Sequence, residues 1–415
     1  MKTFQIPSQY RSPLISAIKA ARKAADRLKK DFTPTHLSLG RLELILARHF
    51  GFCYGVENAI EIAFRAVEEN PGKRIFLLSE MIHNPGVNTD LKDRGVRFLM
   101  DTKGNKIMDW QELKPEDVVV IPAFGTTLEL AAELRSLGIE PTQYETTCPF
   151  VEKVWNRAEK IGREGYTLVV HGKPKHEETR ATFSHSSAFA KTVVVKDMAE
   201  SEHLAKFITG ALPPERFFQD FEGQYTPGFN PVTDLRRIGV VNQTTMLASE
   251  TQGISDYLKE VMIAHYQLNP QTLHLHFADT RDTLCYATND NQSAVQGMLS
   301  EKADLAIVIG GYNSSNTSHL VELCEEKLPT YFIRDEDCLQ LDQIRHFDLH
   351  TGMETVTEGY LPATGSLKIL VTSGASCPDA LVERVLVRLA ELTGNEAFLE
   401  ATAARWLQEL ATENS

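Results

Sequence analysis

Three cysteines stand where a helical pattern begins. Cys53 opens CYGVENAIEIAFRAVEE, Cys148 opens CPFVEKVWNRAEKIGREG and Cys285 opens CYATNDNQSAVQGMLSEKA. Each stretch fits an amphipathic helix of about four turns that leads into a strand. At a helix start, free N–H groups and the helix dipole favour a thiolate, the form of cysteine that ligates metal. One thiolate from each of three units, meeting at a shared centre, leaves a fourth metal position for substrate. In that arrangement a [4Fe–4S] cluster acts as a Lewis acid as well as an electron carrier. Spacing alone leaves a second reading open, because there is no C-x₂-C run and widely spaced cysteines are commonly buried as small hydrophobes. The other three cysteines lack the helix-start setting. Cys324 falls inside HLVELCEEK, Cys338 follows an acidic turn and Cys377 lies in a Gly/Ser loop, so Cys324 and Cys338 read as structural.

Four loops offer small polar groups. They are MIHNPGVNTDL around His83, VNQTTML around Thr244, GGYNSSNTSHL with Ser314, Ser315 and Asn316, and VTSGASCPD with Ser376. Backbone N–H groups at strand-to-helix turns, joined by Ser, Thr and Asn side chains, make a neutral cradle for a phosphate or diphosphate. Each loop alone is equally a capping turn; four in one chain favour an oxyanion site. The segment HGKPKHEETRAT adds His176 and Glu178, two residues apart, as a proton-delivering pair. It is not the H-E-x-x-H of a zinc protease, because position 180 is Arg180. Beside a cluster and a diphosphate, a carboxyl group would be desolvated and close to negative charge. Both effects raise its pKa and keep it able to donate. A solvated helix start is the competing reading of the same residues.

The elements that must position these groups are legible as apolar runs: 74–80, 117–124, 167–172, 192–195, 238–241, 304–311, 330–333 and 367–374. Most end in Gly, Ser, Thr or Asn and pass into a helical pattern. Runs apolar on both faces that alternate with helices imply an α/β protein with mostly parallel, buried sheets. Functional loops then belong at the carboxyl ends of strands. A chain of 415 residues exceeds one ordinary core. The repeated Cys–helix–strand pattern suggests three similar α/β units. The interval after Cys148 is the longest, and the aromatic, Gly- and Pro-rich stretch 216–235 reads as a loop inserted there. Residues 11–30 form a basic amphipathic pattern. It resembles a transit peptide, but Asp26, Asp31 just after it and the scarcity of Ser favour a helical extension. A net charge of −13 makes general nucleic-acid binding a poor expectation. No run approaches the ~18 apolar residues of a membrane span, and no secretory signal is visible, so a cytoplasmic protein without membrane contacts is expected. Six cysteines in such a chain are free thiols or ligands rather than a disulfide scaffold.

Taken in order, GFCYGVENAI, HNPGVNTDL, TTCPFVEKV, HEETRAT, NQTTM, DTLCYATNDNQSAV, NSSNTSHL and SGASCPD resemble the 4-hydroxy-3-methylbut-2-enyl diphosphate reductase family from about Arg48 to Leu389. The resemblance implies three α/β domains in a pseudo-threefold arrangement around a central [4Fe–4S] cluster on Cys53, Cys148 and Cys285. The expected boundaries are a helical extension at 1–45, α/β domains at 46–147, 148–284 and 285–390, and a tail helix at 391–415. By the same carry-over Glu178 is the proton donor and Thr244 places the substrate's hydroxyl end. His83, His176, Ser314, Ser315, Asn316 and Ser376 hold substrate, mainly by its diphosphate. One departure stands out: many family members have His before Gly in the loop that here reads PAFGTT, and this chain has Phe124, as a plant-like branch of the family does. The implied reaction is a two-electron, two-proton reductive dehydroxylation giving isopentenyl and dimethylallyl diphosphate, fed by a ferredoxin or flavodoxin. Two competitors are a non-redox lyase that uses a three-cysteine cluster as Lewis acid, and a non-catalytic iron–sulfur sensor. The sensor needs a basic recognition element that this acidic chain does not display.

Overall fold

The structure is a computed structural model and describes residues 4–278, 283–362, 365–396 and 399–413. Asp282, which opens the DTLCYATNDNQSAV motif, lies outside the described residues. The apolar runs become short strands. Thr167–His171, Ile238–Asn242 and Leu305–Ile309 are buried at every position, as parallel strands covered on both faces must be. The α/β class and the parallel sheets expected from the sequence are what the chain forms, and its contacts divide it into two units.

The first unit comprises Met1–Glu57, His83–Gly86 and Tyr286–Ser415. Its seven-stranded sheet runs Thr35–Leu39, Leu42–Leu46, Leu367–Ser373, Leu305–Ile309, Thr330–Ile333, Gln343–Asp348, Met353–Glu358. The central four strands are mutually parallel, with Leu305 opposite Ile369 and Leu42 opposite Leu367. Antiparallel pairs close both edges. Three adjoining parallel strands therefore end at one edge and release, side by side, the loop to Cys53, the loop to Ser314 and the loop to Ser376. The N-terminal helix, Pro13–Ala25, starts on Ser12, whose side chain accepts from the Ile15 N–H, and has proline in its first turn. It buries Ile15 and Ile18 and packs against helices Asp379–Leu392 and Leu399–Glu413.

The second unit comprises Asn58–Ile82 and Val87–Cys285. It carries a four-stranded parallel sheet (Arg97–Phe98, Ile75–Leu77, Val118–Ile121, Tyr144–Glu145) and a three-stranded parallel sheet (Thr192–Val195, Thr167–His171, Ile238–Asn242). After Cys53, Cys148 and Cys285 the chain does turn directly into helices, at Tyr54–Glu69, Pro149–Arg163 and Tyr286–Met298. Among the described residues no helix is long and apolar enough to cross a membrane.

The stretch 216–235 has structure of its own. Helices Pro214–Asp220 and Pro231–Asp234 bracket it, and Phe217, Phe221 and Phe229 are buried in one core with Phe207, Leu204 and Ile254. Phe217 stacks on Phe229 with ring centroids 4.9 Å apart and on Phe221 at 5.1 Å. The aromatic residues that suggested a loop close the three-stranded sheet's core. Phe217→Ala should lower the unfolding free energy by about 3–5 kcal/mol in denaturant melts. Phe218→Ala, at a position 40% exposed, should change it by less than about 0.5 kcal/mol.

Candidate active site

In the second unit the candidate residues gather around one carboxylate. Glu178 occupies the first turn of helix Glu177–Ser187, whose N-cap is His176. The His176 Nδ1 accepts from the Glu178 N–H at 3.2 Å, so capping fixes the imidazole beside the carboxylate's own backbone. Glu178 is only 1% exposed. It accepts from the Thr244 N–H at 2.5 Å through one oxygen and from the Thr244 hydroxyl at 3.0 Å through the other. Thr244 sits in the turn after strand Ile238–Asn242, and its carbonyl accepts from the Cys285 N–H at 3.2 Å. The neighbouring Gln243 locks the same turn. Its Oε1 accepts from Thr179 Oγ1 at 2.9 Å, and its Nε2 donates to Thr245 Oγ1 at 2.7 Å. A Cβ on Gly172 would meet Thr179 Oγ1 at 2.6 Å, so only glycine lets this strand end pass so close. Gln243 and Thr179 were not singled out in the sequence. They lie within the quoted NQTTM and HEETRAT segments, but an uncharged amide and a hydroxyl give no local sign of a buried lock.

Cys148 is the N-cap of helix Pro149–Arg163, and its N–H donates to the Ala123 carbonyl at 3.0 Å. The helix-start argument predicts a thiolate. Instead burial pushes the thiol up to about 12. The N–H groups of Phe150 and Val151 oppose that rise, and neighbouring Cys285 and Glu178 add to it. Two thiols and a carboxyl so placed repel one another as anions, and a cationic centre relieves that repulsion by displacing the thiol proton. Among the described residues no three His, Cys, Asp or Glu side chains are placed to hold a single metal ion. Thiolates are the ligands that iron–sulfur clusters take, and the thiols of Cys148 and Cys285 beside the Glu178 carboxyl are donors of that kind. Phe124 lies edge-on to His176, ring centroids 5.6 Å apart, and Gly125 (φ +78°) lets the chain pass under Trp155.

In the first unit the candidates beside Cys53 are hydroxyl, amide and imidazole groups. Ser314 caps helix Ser315–Glu325, its Oγ accepting from Thr317 N at 3.3 Å and from Thr317 Oγ1 at 2.9 Å. The Asn316 Oδ1 accepts from the Ala375 N–H at 2.9 Å, and the Ala375 carbonyl accepts from the Cys53 N–H at 3.2 Å. Ser376 Oγ donates to the His83 carbonyl at 3.0 Å, and Asn84 Nδ2 donates to the Ser376 carbonyl at 2.9 Å. His83, Ser314, Ser315, Asn316 and Ser376 are all buried, and the Ser315 hydroxyl has no hydrogen-bond partner. A buried hydroxyl without a partner is costly, and beside a helix start it marks where an oxyanion would be received. Cys324, Cys338 and Cys377 are buried, and burial pushes the Cys324 and Cys377 thiols up to about 12. The structure thus groups Cys53 with His83, Ser314, Ser315, Asn316 and Ser376 in one unit, and Cys148, Cys285, His176, Glu178 and Thr244 in the other.

Comparison with known proteins adds the following. The chain matches the LytB protein family over residues 44–390. It is 39% identical, over 93% of its length and 92% of the relative's, to 4-hydroxy-3-methylbut-2-enyl diphosphate reductase of a Synechococcus strain. It is 38% identical to the protein of the same name from Prochlorococcus marinus, over 87% of each. A solved structure titled as (E)-4-hydroxy-3-methyl-but-2-enyl diphosphate reductase, the terminal enzyme of the non-mevalonate pathway, aligns with a TM-score of 0.50 and 25% identity. That alignment covers 84% of this chain and 99% of the other. The Plasmodium falciparum E-1-hydroxy-2-methyl-but-2-enyl-4-diphosphate reductase aligns with a TM-score of 0.60 at 20% identity, over 84% and 87%, and shares the fold.

The raised Cys148 pKa has a direct chemical signature. In protein freed of metal, iodoacetamide should label Cys148 slowly and without a rise near pH ~8.5, where an ordinary thiol ionises. Mass spectrometry of labelling rates between pH 7 and 10 checks this. An inflection near the ordinary value would mean that the helix N–H groups outweigh burial.

Proposed function

The chain belongs to the LytB protein family, and on that premise we propose that it is a 4-hydroxy-3-methylbut-2-enyl diphosphate reductase, an oxidoreductase of the non-mevalonate isoprenoid pathway. The observation that carries the reading into this chain's own residues is Glu178, buried and clamped at both oxygens by Thr244 beside Cys148 and Cys285. The reaction takes one substrate, two electrons and two protons to isopentenyl or dimethylallyl diphosphate and one water.

The diphosphate is held by His83, His176, Ser314, Ser315, Asn316 and Ser376. The buried Ser315 hydroxyl and the N–H groups at the start of helix Ser315–Glu325 support this assignment. Hydroxyl, amide and backbone N–H donors suit the task, because they bind a diphosphate without quenching a neighbouring acid. Phe124 removes one imidazole from that set and packs its ring edge on His176, leaving His176 held by its cap and by an apolar neighbour. Glu178 delivers a proton to the departing hydroxyl oxygen. Thr244 orients that transfer, since its hydroxyl can donate to the carboxylate or accept from the acid by rotating about one bond. Exclusion of water from this buried pair keeps the proton on its route.

We assign Cys53, Cys148 and Cys285 as ligands of a [4Fe–4S] cluster, which when bound supplies the two electrons and a Lewis-acidic position. The crowding of Cys285 and Glu178 around the Cys148 thiol supports a cationic occupant. A reductive loss of hydroxide draws on low-potential electrons, so a small ferredoxin or flavodoxin is the donor we propose; plant-type ferredoxins sit near −400 mV. The six free cysteines suit the reducing cytoplasm, where we place the enzyme.

An anaerobic assay of reconstituted protein with the hydroxylated five-carbon diphosphate, with and without a low-potential reductant, tests the reading. Wild type should form both five-carbon products only with reductant. Glu178→Gln should lose about 10²–10⁴-fold in kcat with the cluster spectrum retained, and Cys285→Ser should lose activity together with that spectrum. Turnover without reductant would instead indicate a Lewis-acid lyase. An intact cluster with no product from wild type would remove the reductase assignment.

A further inference from the structure

Next to Cys53 the first unit carries a half-open pocket of about 190 Å³ that the proposed reaction leaves unused. Lys19 and Lys23 of the N-terminal helix, Lys29 just beyond it, and Arg48 on the approach to Cys53 bring four cations to its wall, against one carboxylate, Asp290. Lys29 pairs with Asp290 at 2.8 Å, and Lys19 with Asp379 at 2.6 Å. Arg48 differs. It is 6% exposed, it hydrogen-bonds through Nη2 to the Arg22 carbonyl at 3.1 Å, its Nε has no partner, and among the described residues no carboxylate lies within ion-pair distance. The buried Nδ2 of Asn291 and Nε2 of His49, in the same wall, are also without partners. Burial and the nearby Arg22 charge disfavour the Arg48 guanidinium, and Asp26, Asp31 and Asp290 offset them only in part and from a distance. Two further orphaned nitrogens beside it make the cost specific to one place.

We infer that this pocket binds a small phosphorylated anion, whose oxygens would face Arg48 and Asn291 and bridge the N-terminal helix to the Cys53 loop. The size argues for a small ligand, since pockets for drug-sized molecules run from ~300 to 1,000 Å³. The rings of Phe50, Phe52 and Tyr286 offer a surface for a short hydrocarbon beside the charged head. A surplus of positive field is felt inside. Burial, and then Arg48, push the His49 imidazole down to about 4, against the opposing pull of Asp290. Lys19, Lys23 and Lys29 precede residue 44, where the family match begins, so the site lies partly outside the matched core. The inference stands on the first unit alone and does not depend on the reductase reading.

Calorimetric titration of inorganic diphosphate into the reconstituted full-length protein, under argon and without turnover, tests it. The Ser314→Ala/Asn316→Ala variant, which removes donors from the substrate cradle, should retain one binding site. Adding Arg48→Gln or Lys23→Glu should weaken that site at least tenfold. Diphosphate should also slow amide hydrogen exchange across residues 13–25 in the cradle variant and not in its Lys23→Glu derivative. Lys23 is exposed, so this second substitution carries the test if thermal melts show Arg48→Gln unfolded. A cradle variant with no residual site, or with one that both substitutions leave within twofold, overturns the inference. So does Lys23-dependent capture of an acidic electron carrier by a chain indifferent to diphosphate. A failed reductase assay leaves these readings intact.

Discussion

A carboxylate taken almost wholly out of water must have its lone pairs met, and Glu178 has both oxygens met by Thr244. That single pairing constrains a large part of the second unit. The turn after strand Ile238–Asn242 must present an N–H and a hydroxyl in the same direction. The helix from Glu177 must begin where His176 can cap it, and Gly172 must stay bare for Thr179 and Gln243 to close the lock. The backbone of Cys285 is tied to the same residue through the Thr244 carbonyl. Glu178 and Cys285, the acid and one of the ligands that we propose, therefore share one anchor, and a shift in either is felt by the other.

The first unit solves a different problem with neutral groups. Its hub is the peptide of Ala375, which receives Cys53 on its carbonyl and gives its N–H to Asn316. Because three adjoining parallel strands end there, the loops they release need little length to bring a cysteine, a helix start and a serine loop together. In the diphosphate site that we propose, parallel strand order would do what clustered charge does elsewhere: aim several weak dipoles at one place.

Much of this was legible in the sequence because the periodicities are strong. Runs such as DLAIVIGG and LKILVTSG announce buried parallel strands and, with their Gly and Ser endings, the edge at which function sits. The helices after Cys53, Cys148 and Cys285 begin where the pattern puts them. What stayed hidden is set by packing. A helix start predicts a thiolate at Cys148, yet burial and two acidic neighbours reverse the sign, and neighbours distant in sequence cannot be read from it. The stretch 216–235 has the composition of a loop, but Phe217, Phe221 and Phe229 find one another only once Pro214–Asp220 folds back on the three-stranded sheet. The Gln243–Thr179 lock and the unpartnered Arg48 Nε have no local signature, because each is defined by who does or does not stand opposite.

Thr317 is wedged between two glycines on neighbouring strand ends. A Cβ on Gly310 would lie 2.6 Å from its Oγ1, and one on Gly374 would lie 1.9 Å away. The same Oγ1 holds Ser314 at 2.9 Å. Neither glycine can change while the threonine keeps its size, and the threonine cannot shrink to alanine without releasing the serine. The three positions are thus an evolutionary ratchet: each substitution is admissible only after another that is itself harmful. Descendants of this chain can drift freely in the exposed edge strand Met353–Glu358 while this corner of the sheet stays fixed.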